Sequence, residues 1–191
     1  MLARIVSYHR YTFLEHDLAP PARPVVLAAG LEIAVLAPAQ AELITEFNGR
    51  AVDSPMTEMF RRDMLAGQVC IAALRDGRVI GCTWLSTKYA YLPGRAYEMG
   101  RGWAWGHRTY THLASRGQGI HQALLIRRNS SLKESGALRC ANMTENPVAL
   151  HNFVKGGCIV TGSCRDVRVL GRWRRLSFTG GVIERIRSRP A

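Results

Sequence analysis

Apolar and polar residues repeat with two different periods along this chain. "LEIAVLAP" (Leu31 to Pro38) is a short apolar, β-branched run and predicts a strand. "AQAELITEFN" changes to helical spacing and ends at Gly49. A second helix is bounded by its own chemistry, with Ser54 as N-cap, Pro55 at the first helical position and Gly67 just past the end. Met56, Met59, Phe60 and Met64 fall on one face of it, a stripe that suits a core and, as a second reading, a substrate channel. "QVCIAALRDGRVIGCTWLS" holds two β-rich runs around Asp76-Gly77, a two-residue turn of the type that needs positive φ. The glycine- and aromatic-rich "TKYAYLPGRAYEMGRGWAWGHR" that follows is too long for a plain connection, and such loops often carry function.

Further on, Tyr110 to Leu113 predicts a strand. Gly117 to Glu134 predicts a helix with Ile120, Ala123, Leu124, Leu125 and Leu132 on its apolar face. "ALRCANMT" is another strand. Asn146-Pro147 opens the next helix with an N-cap and a proline at the first position, and Gly156-Gly157 closes it. "CIVTGSCRDVRVLGRWRRLSF" reads as two strands turning near Gly171. The order is β-α-α-β-β-β-α-β-α-β-β, an α/β chain with a mixed sheet and helices on both faces. Residues 1–24, ending in "LAPPARP", read as a loose leader or added edge segment, 25–180 as a single domain, and 181–191 as a basic tail.

Composition narrows the classes. At 191 residues, 47% apolar and 21% charged, the chain can bury one full core. The longest apolar run, "VVLAAGLEIAVLA", is too short to span a bilayer and carries Glu32. "MLARIVSYHRY" lacks the apolar stretch of a secretory signal, so a soluble, cytoplasmic protein is expected. The five cysteines are odd in number with no CxxC pair, which favours a reducing compartment over disulfides. The six histidines form no HExxH or Cys/His cluster, so no metal is expected.

The net charge of +12 comes almost wholly from arginine, since only Lys88, Lys133 and Lys155 are lysines. A GC-rich genome explains this, and so does an anionic partner that suits the guanidinium fork. Arg165, Arg168, Arg172, Arg174, Arg175, Arg185, Arg187 and Arg189 crowd the C-terminal segment. They make a nucleic-acid partner a separate reading, which ranks lower because no nucleic-acid motif accompanies them.

The stretch "THLASRGQGIHQALL" carries the most chemistry. Backbone N–H groups at a strand-to-helix loop, glycines that let a ligand approach the main chain, the helix dipole and the Arg116 charge together suit a phosphate or diphosphate. From the loop alone, a plain strand–helix connection is equally compatible. Two phosphate motifs are excluded: there is no Gly-Lys-Ser or Gly-Lys-Thr of a Walker loop, and Gly117-Gln118-Gly119 runs into His121-Gln122 where a dinucleotide fingerprint needs its third glycine.

This stretch resembles the acyl-CoA loop of the GNAT superfamily of N-acyltransferases: a strand, then Arg/Gln-x-x-Gly-x-Gly/Ala, then a helix. Arg116 and Gly119 match, and His121 stands where the family has a small residue. "NPVALHNFVKGGC" resembles the family's Asn-x-x-Ala-x-x-x-Tyr-x-x-x-Gly-Phe, with Asn146, Ala149, Phe153 and Gly157 in register. The element order agrees from Leu31 to Phe178, implying a GNAT-like splayed sheet.

The resemblance implies transfer of an acyl group, acetyl first among them, from a CoA thioester to a primary amine by direct attack in a ternary complex. Acetyl-CoA or another acyl-CoA would be the co-substrate. Main-chain groups near Thr111, His112 and Leu113 would hold the pantetheine arm, and Arg116, Gly117, Gln118, Gly119, Ile120 and His121 the diphosphate. Asn146 and Phe153 would flank the thioester. His107 and Glu98 are the expected proton acceptors, with His112 third. Phe153 replaces the family's proton-donating tyrosine, leaving His151, Asn152 or water for that role. Tyr91, Tyr97, Trp103 and Trp105 would wall the acceptor, a small molecule or peptide amine, with Arg95, Arg101 and Arg108 attracting a carboxylate on it. Two further readings stand beside this one: a long-chain N-acyl amino acid synthase fed by an acidic acyl carrier protein, and a non-catalytic acyl-CoA-binding protein. Monomer and homodimer both stay open.

Overall fold

The computed structural model describes residues 6–18, 28–169 and 173–187. In chain order its elements are β1 (Val6–Asp17), β2 (Leu31–Leu36), α1 (Ala41–Phe47), α2 (Pro55–Leu65), β3 (Val69–Arg75), β4 (Arg78–Ser86), β5 (Tyr89–Leu92), β6 (Arg95–Glu98), β7 (Trp103–Thr111), α3 (Ile120–Glu134), β8 (Arg139–Thr144), α4 (Pro147–Lys155), β9 (Ile159–Val169), β10 (Trp173–Thr179) and α5 (Val182–Arg187). Among the described residues, 6–18, 88–105, 137–169 and 173–187 make one compact unit, and 28–87 with 106–136 make a second. β7 contributes to both units.

The second unit is built on the strand order β2-β3-β4, followed by the Gly106–Thr111 part of β7. β2 pairs antiparallel with β3, and β3 with β4. Asp76 and Gly77 close the β3–β4 hairpin at φ 51° and 72°, as the turn signal predicts. β3 is buried on both faces, so its run is continuously apolar. Cys70, Ala72, Leu74, Cys82 and Trp84 meet Ile44 of α1 and Phe60 and Met64 of α2. The opposite face carries Gly81, where an added Cβ would stand 3.1 Å from Ile120 and 3.4 Å from Leu124 of α3. Helices therefore cover both faces here. Met56 and Met59 pack against the same cluster, which settles the methionine stripe as core. Each large side chain fully buried in it is worth about 1.5–3 kcal/mol.

The first unit has the order β10-β9-β1-β8, followed by the Trp103–Trp105 part of β7. β1 pairs antiparallel on both sides, with β8 over Thr12–Asp17 and with β9 over Val6–Glu15. The segment expected as a leader or edge is therefore an interior strand over Val6–Asp17; 1–5 and 19–24 lie outside the described residues. Glu15, 5% exposed, accepts hydrogen bonds from Arg185 Nε at 2.8 Å and Nη2 at 2.9 Å. Phe13 joins Trp105, Ala141, Cys164, Val182 and Ile186 in the core.

Two more expectations change. The long aromatic stretch is ordered: β5 and β6 form a two-stranded sheet, and Trp103 and Trp105 are core residues at 3% and 1% exposure, not an acceptor wall. The basic tail begins with α5, whose Val182 and Ile186 are buried; the turn expected at Gly171 lies outside the described residues. All five cysteines are buried, and none is in a disulfide among the described residues.

Candidate active site

β7 leaves regular geometry before it ends. Arg108 has φ 48°, a left-handed conformation that a side-chain-bearing residue rarely adopts. Consecutive strand residues normally point to opposite faces. Here His107 and Arg108 both meet one ring: His107 lies 6.4 Å from Trp84 between centroids, and the Arg108 guanidinium lies 5.3 Å over it. Arg108 Nη1 also donates to Asp63 Oδ2 at 2.7 Å. This anchor to α2 offsets the backbone strain, of order 1–3 kcal/mol, and takes Arg108 away from the role of acceptor-attracting cation.

His107 is half-buried, and burial together with the Arg108 charge pushes its pKa down to about 3. It is a neutral imidazole throughout the ordinary pH range. A group so weakly basic holds a proton poorly, and efficient general bases have pKa values near the working pH. Glu98 ends β6, is exposed, and belongs to the first unit, whereas His107 and the glycine loop belong to the second. The environment of His107 does not tune it for that task.

β7 stops at Thr111, two residues short of the strand end expected at Leu113. His112 N–H donates to Ile80 O at 2.8 Å and so is committed to β4. Leu113 begins a short 3-10 turn, Leu113–Ser115, and is 69% exposed. Among the three expected pantetheine contacts, Thr111 keeps an unused polar atom: its buried Oγ1 has no hydrogen-bond partner among the described residues.

The loop is placed as the glycines predict. Arg116 N–H donates to Leu113 O at 3.2 Å, its Nε to Thr111 O at 3.4 Å, and its guanidinium lies 5.9 Å over the Tyr110 ring. Gly117 and Gly119 have φ 77° and 73°. Gly119 is the N-cap of α3, and a Cβ added there would meet nothing within 4 Å. Among the described residues no hydrogen bond uses the amides of Gly117, Gln118, Gly119 and Ile120. Residues 116–119 are all exposed, while Ile120 is buried at 1% and fixes the helix start against β4. Exposed unpaired donors at a helix N-terminus are an anion-binding arrangement. His121, in the first turn, is held neutral: burial and the neighbouring Arg128 charge bring its pKa down to about 4. Its side chain therefore adds no positive charge to the loop.

The remaining expected residues lie in the first unit. Asn146 is the N-cap of α4, its Oδ1 accepting from Val148 N at 2.9 Å and Ala149 N at 3.4 Å. That oxygen is committed to the helix. Phe153 is 4% exposed and a core residue. Tyr97 is half-buried and stacked by the guanidiniums of Arg95 and Arg187 at 5.1 and 5.5 Å. No group of three or more His, Cys, Asp or Glu suited to a metal occurs among the described residues.

Sequence reading missed Arg75. At the end of β3, its Nη2 donates to Gln118 Oε1 at 2.7 Å. The Asp76-Gly77 turn places Arg75 at a hairpin end, but only the strand pairing brings that end to the loop.

No family model matches the chain, and no curated protein matches it. Solved structures do. A GCN5-related N-acetyltransferase from Sphaerobacter thermophilus is 17% identical, with a TM-score of 0.60 over 85% of this chain and 52% of its own. A GCN5-related glucosamine N-acetyltransferase region of a fungal multi-domain β-N-acetylglucosaminidase is 18% identical, with a TM-score of 0.63 over 91% of this chain and 21% of its own. A tandem GNAT protein from the clavulanic acid biosynthesis pathway is 16% identical, with a TM-score of 0.59 over 87% and 55%. The chain spans about half the length of the bacterial and tandem proteins, and less of the fungal one. The fold is that of the GCN5-related N-acetyltransferases, a mixed sheet flanked by helices.

Proposed function

We propose that this chain is an N-acyltransferase that moves an acyl group, acetyl first among the candidates, from a CoA thioester to a primary amine. The observation that carries the reading is the Gly117–Ile120 loop, whose amides have no hydrogen-bond partner among the described residues and whose residues 117–119 are exposed at the start of α3. They suit a diphosphate, and the fold is one whose solved examples include N-acetyltransferases.

In the reaction the amine nitrogen forms a bond to the thioester carbonyl carbon, the C–S bond breaks, the nitrogen sheds a proton and the thiolate gains one. The chain's contribution is to fix both reactants in place, a large effect for a bimolecular step. Gly117, Gln118, Gly119 and Ile120 donate to the diphosphate, Arg116 adds charge at its rim, and Thr111 Oγ1 supplies a donor and acceptor beside them. The amine must arrive neutral. Because His107 binds protons so weakly, solvent or the exposed His112 takes this proton. Phe153 has no proton to give, and a thiol with pKa near 8.5 leaves as thiolate and collects its proton from water.

A nucleic-acid reading loses support from the same side chains that motivated it. Arg168 and Arg174 pair with Asp166, Arg185 pairs with Glu15, and Arg187 lies on Tyr97. Among the described residues these four are engaged within the fold.

Thiol release from acetyl-CoA, measured against a panel of amino acids, polyamines, amino sugars and peptide N-termini, tests the proposal. A mass increase of one acetyl group on at least one amine is expected. CoA binding without acylation of any amine would support the non-catalytic reading instead.

A further inference from the structure

Arg75 and Arg116 are both cations without a carboxylate partner among the described residues, and both touch the glycine loop. Arg116 bonds the chain just before it. Arg75 reaches over from β3 and donates to a neutral acceptor, Gln118 Oε1, so its charge is not cancelled. Arg78 faces Arg75 directly across the hairpin. Like charges opposed in a strand pair are unfavourable. Asp76, in the turn between them, makes no ion pair with either among the described residues. The diphosphate occupies amides and Arg116 in the proposed function; Arg75 and Arg78 leave charge over for a second anionic group.

We propose that Arg75 is a specificity-determining residue that binds the 3′-phosphate of the CoA nucleotide, so that the donor is free acyl-CoA and not an acyl carrier protein. This rests on the reading of the loop as a diphosphate site. A carrier protein's phosphopantetheine has one phosphodiester and no 3′-phosphate, and it gives Arg75 nothing to bind. A phosphomonoester carries close to two charges near neutrality and forms bidentate hydrogen bonds with a guanidinium.

The test is equilibrium binding of CoA, 3′-dephospho-CoA and 4′-phosphopantetheine to the full chain, to Arg75→Ala and to Arg75→Lys, with the unliganded melting temperature of each variant recorded. Wild-type protein is expected to bind CoA about tenfold more tightly than 3′-dephospho-CoA. Arg75→Ala should abolish that difference by weakening CoA alone, and Arg75→Lys should retain part of it. The preference for CoA should also fade as salt rises. Equal binding of CoA and 3′-dephospho-CoA by wild-type protein, or an Arg75→Ala variant that keeps the preference, overturns the inference while leaving the diphosphate reading intact. Failure of all three compounds to bind wild-type protein removes the diphosphate reading itself. If Arg75→Ala fails to fold, the wild-type comparison and Arg75→Lys still decide.

Discussion

Asp166 has no solvent exposure, and Arg174 grips its carboxylate with two hydrogen bonds, Nε to Oδ1 at 2.8 Å and Nη2 to Oδ2 at 2.7 Å. Arg168 adds a third at 3.3 Å. These bonds, that from Arg174 foremost, outweigh burial and hold the carboxyl below its usual range. Removing one partner of a buried pair leaves the other uncompensated, at a cost of about 3–5 kcal/mol. Asp166→Asn and Arg174→Ala should each lose stability toward the lower end of that range, because Arg174 keeps 26% exposure. Urea denaturation followed by tryptophan fluorescence reads this. A loss under 1 kcal/mol in both would show that the pair contributes little.

Gly94 sits against that same arginine. Its φ is 74°, and a Cβ there would run into Arg174 Nη1. Gly94→Ala combines left-handed strain of about 1–2 kcal/mol with displacement of the guanidinium from Asp166. It should destabilise more than Gly77→Ala, which has similar φ and open space around its Cβ. Melting temperatures of the two variants side by side check the order; equal losses would mean the contact is relieved without cost.

Acid should weaken the fold in two stages. His107 and His121 have folded pKa values lowered to about 3 and about 4, against about 6.5 unfolded. The unfolded chain therefore binds more protons than the folded one in this window, so their stabilising effect is complete above pH 6.5 and is lost as pH falls toward 4 and 3. Asp166 adds its loss as pH falls from the ordinary carboxyl range toward its lowered folded pKa. Replacing His107 by Gln should flatten the stability–pH curve between 6.5 and 4 and leave the steeper fall below it. An unchanged slope in that interval would mean that His107 titrates normally. Imidazole chemical shifts across the same range give a second readout.

Much of the fold was legible because local chemistry set it. Asp76-Gly77 announced its turn, Asn146-Pro147 its helix start, and Gly117 and Gly119 a strand-to-helix loop. What escaped was non-local. β1 pairs with β8 and β9, strands far along the chain, and its Glu15 meets Arg185, 170 positions away. Trp103 and Trp105 look like exposed loop aromatics until β7 is seen to begin at Trp103. In the candidate site, the strand-to-helix loop with its glycines was placed where the sequence put it. The low basicity of His107 was not legible, because it depends on Trp84 and Arg108 closing around the ring. Arg75 was hidden because its link to Gln118 spans 43 positions.

The central claim is that unpaired amides at the start of α3 hold the diphosphate of a CoA thioester. Isothermal titration of acetyl-CoA into wild-type protein and Gly119→Val tests it most directly. The left-handed φ of 73° makes valine unfavourable there, and the open space around Gly119 keeps the damage local, about 1–2 kcal/mol of stability. Saturable one-site binding by wild-type protein, weakened at least tenfold in a variant that remains folded, is the predicted result. No saturable binding by wild-type protein, or equal affinity in the two, would contradict the account.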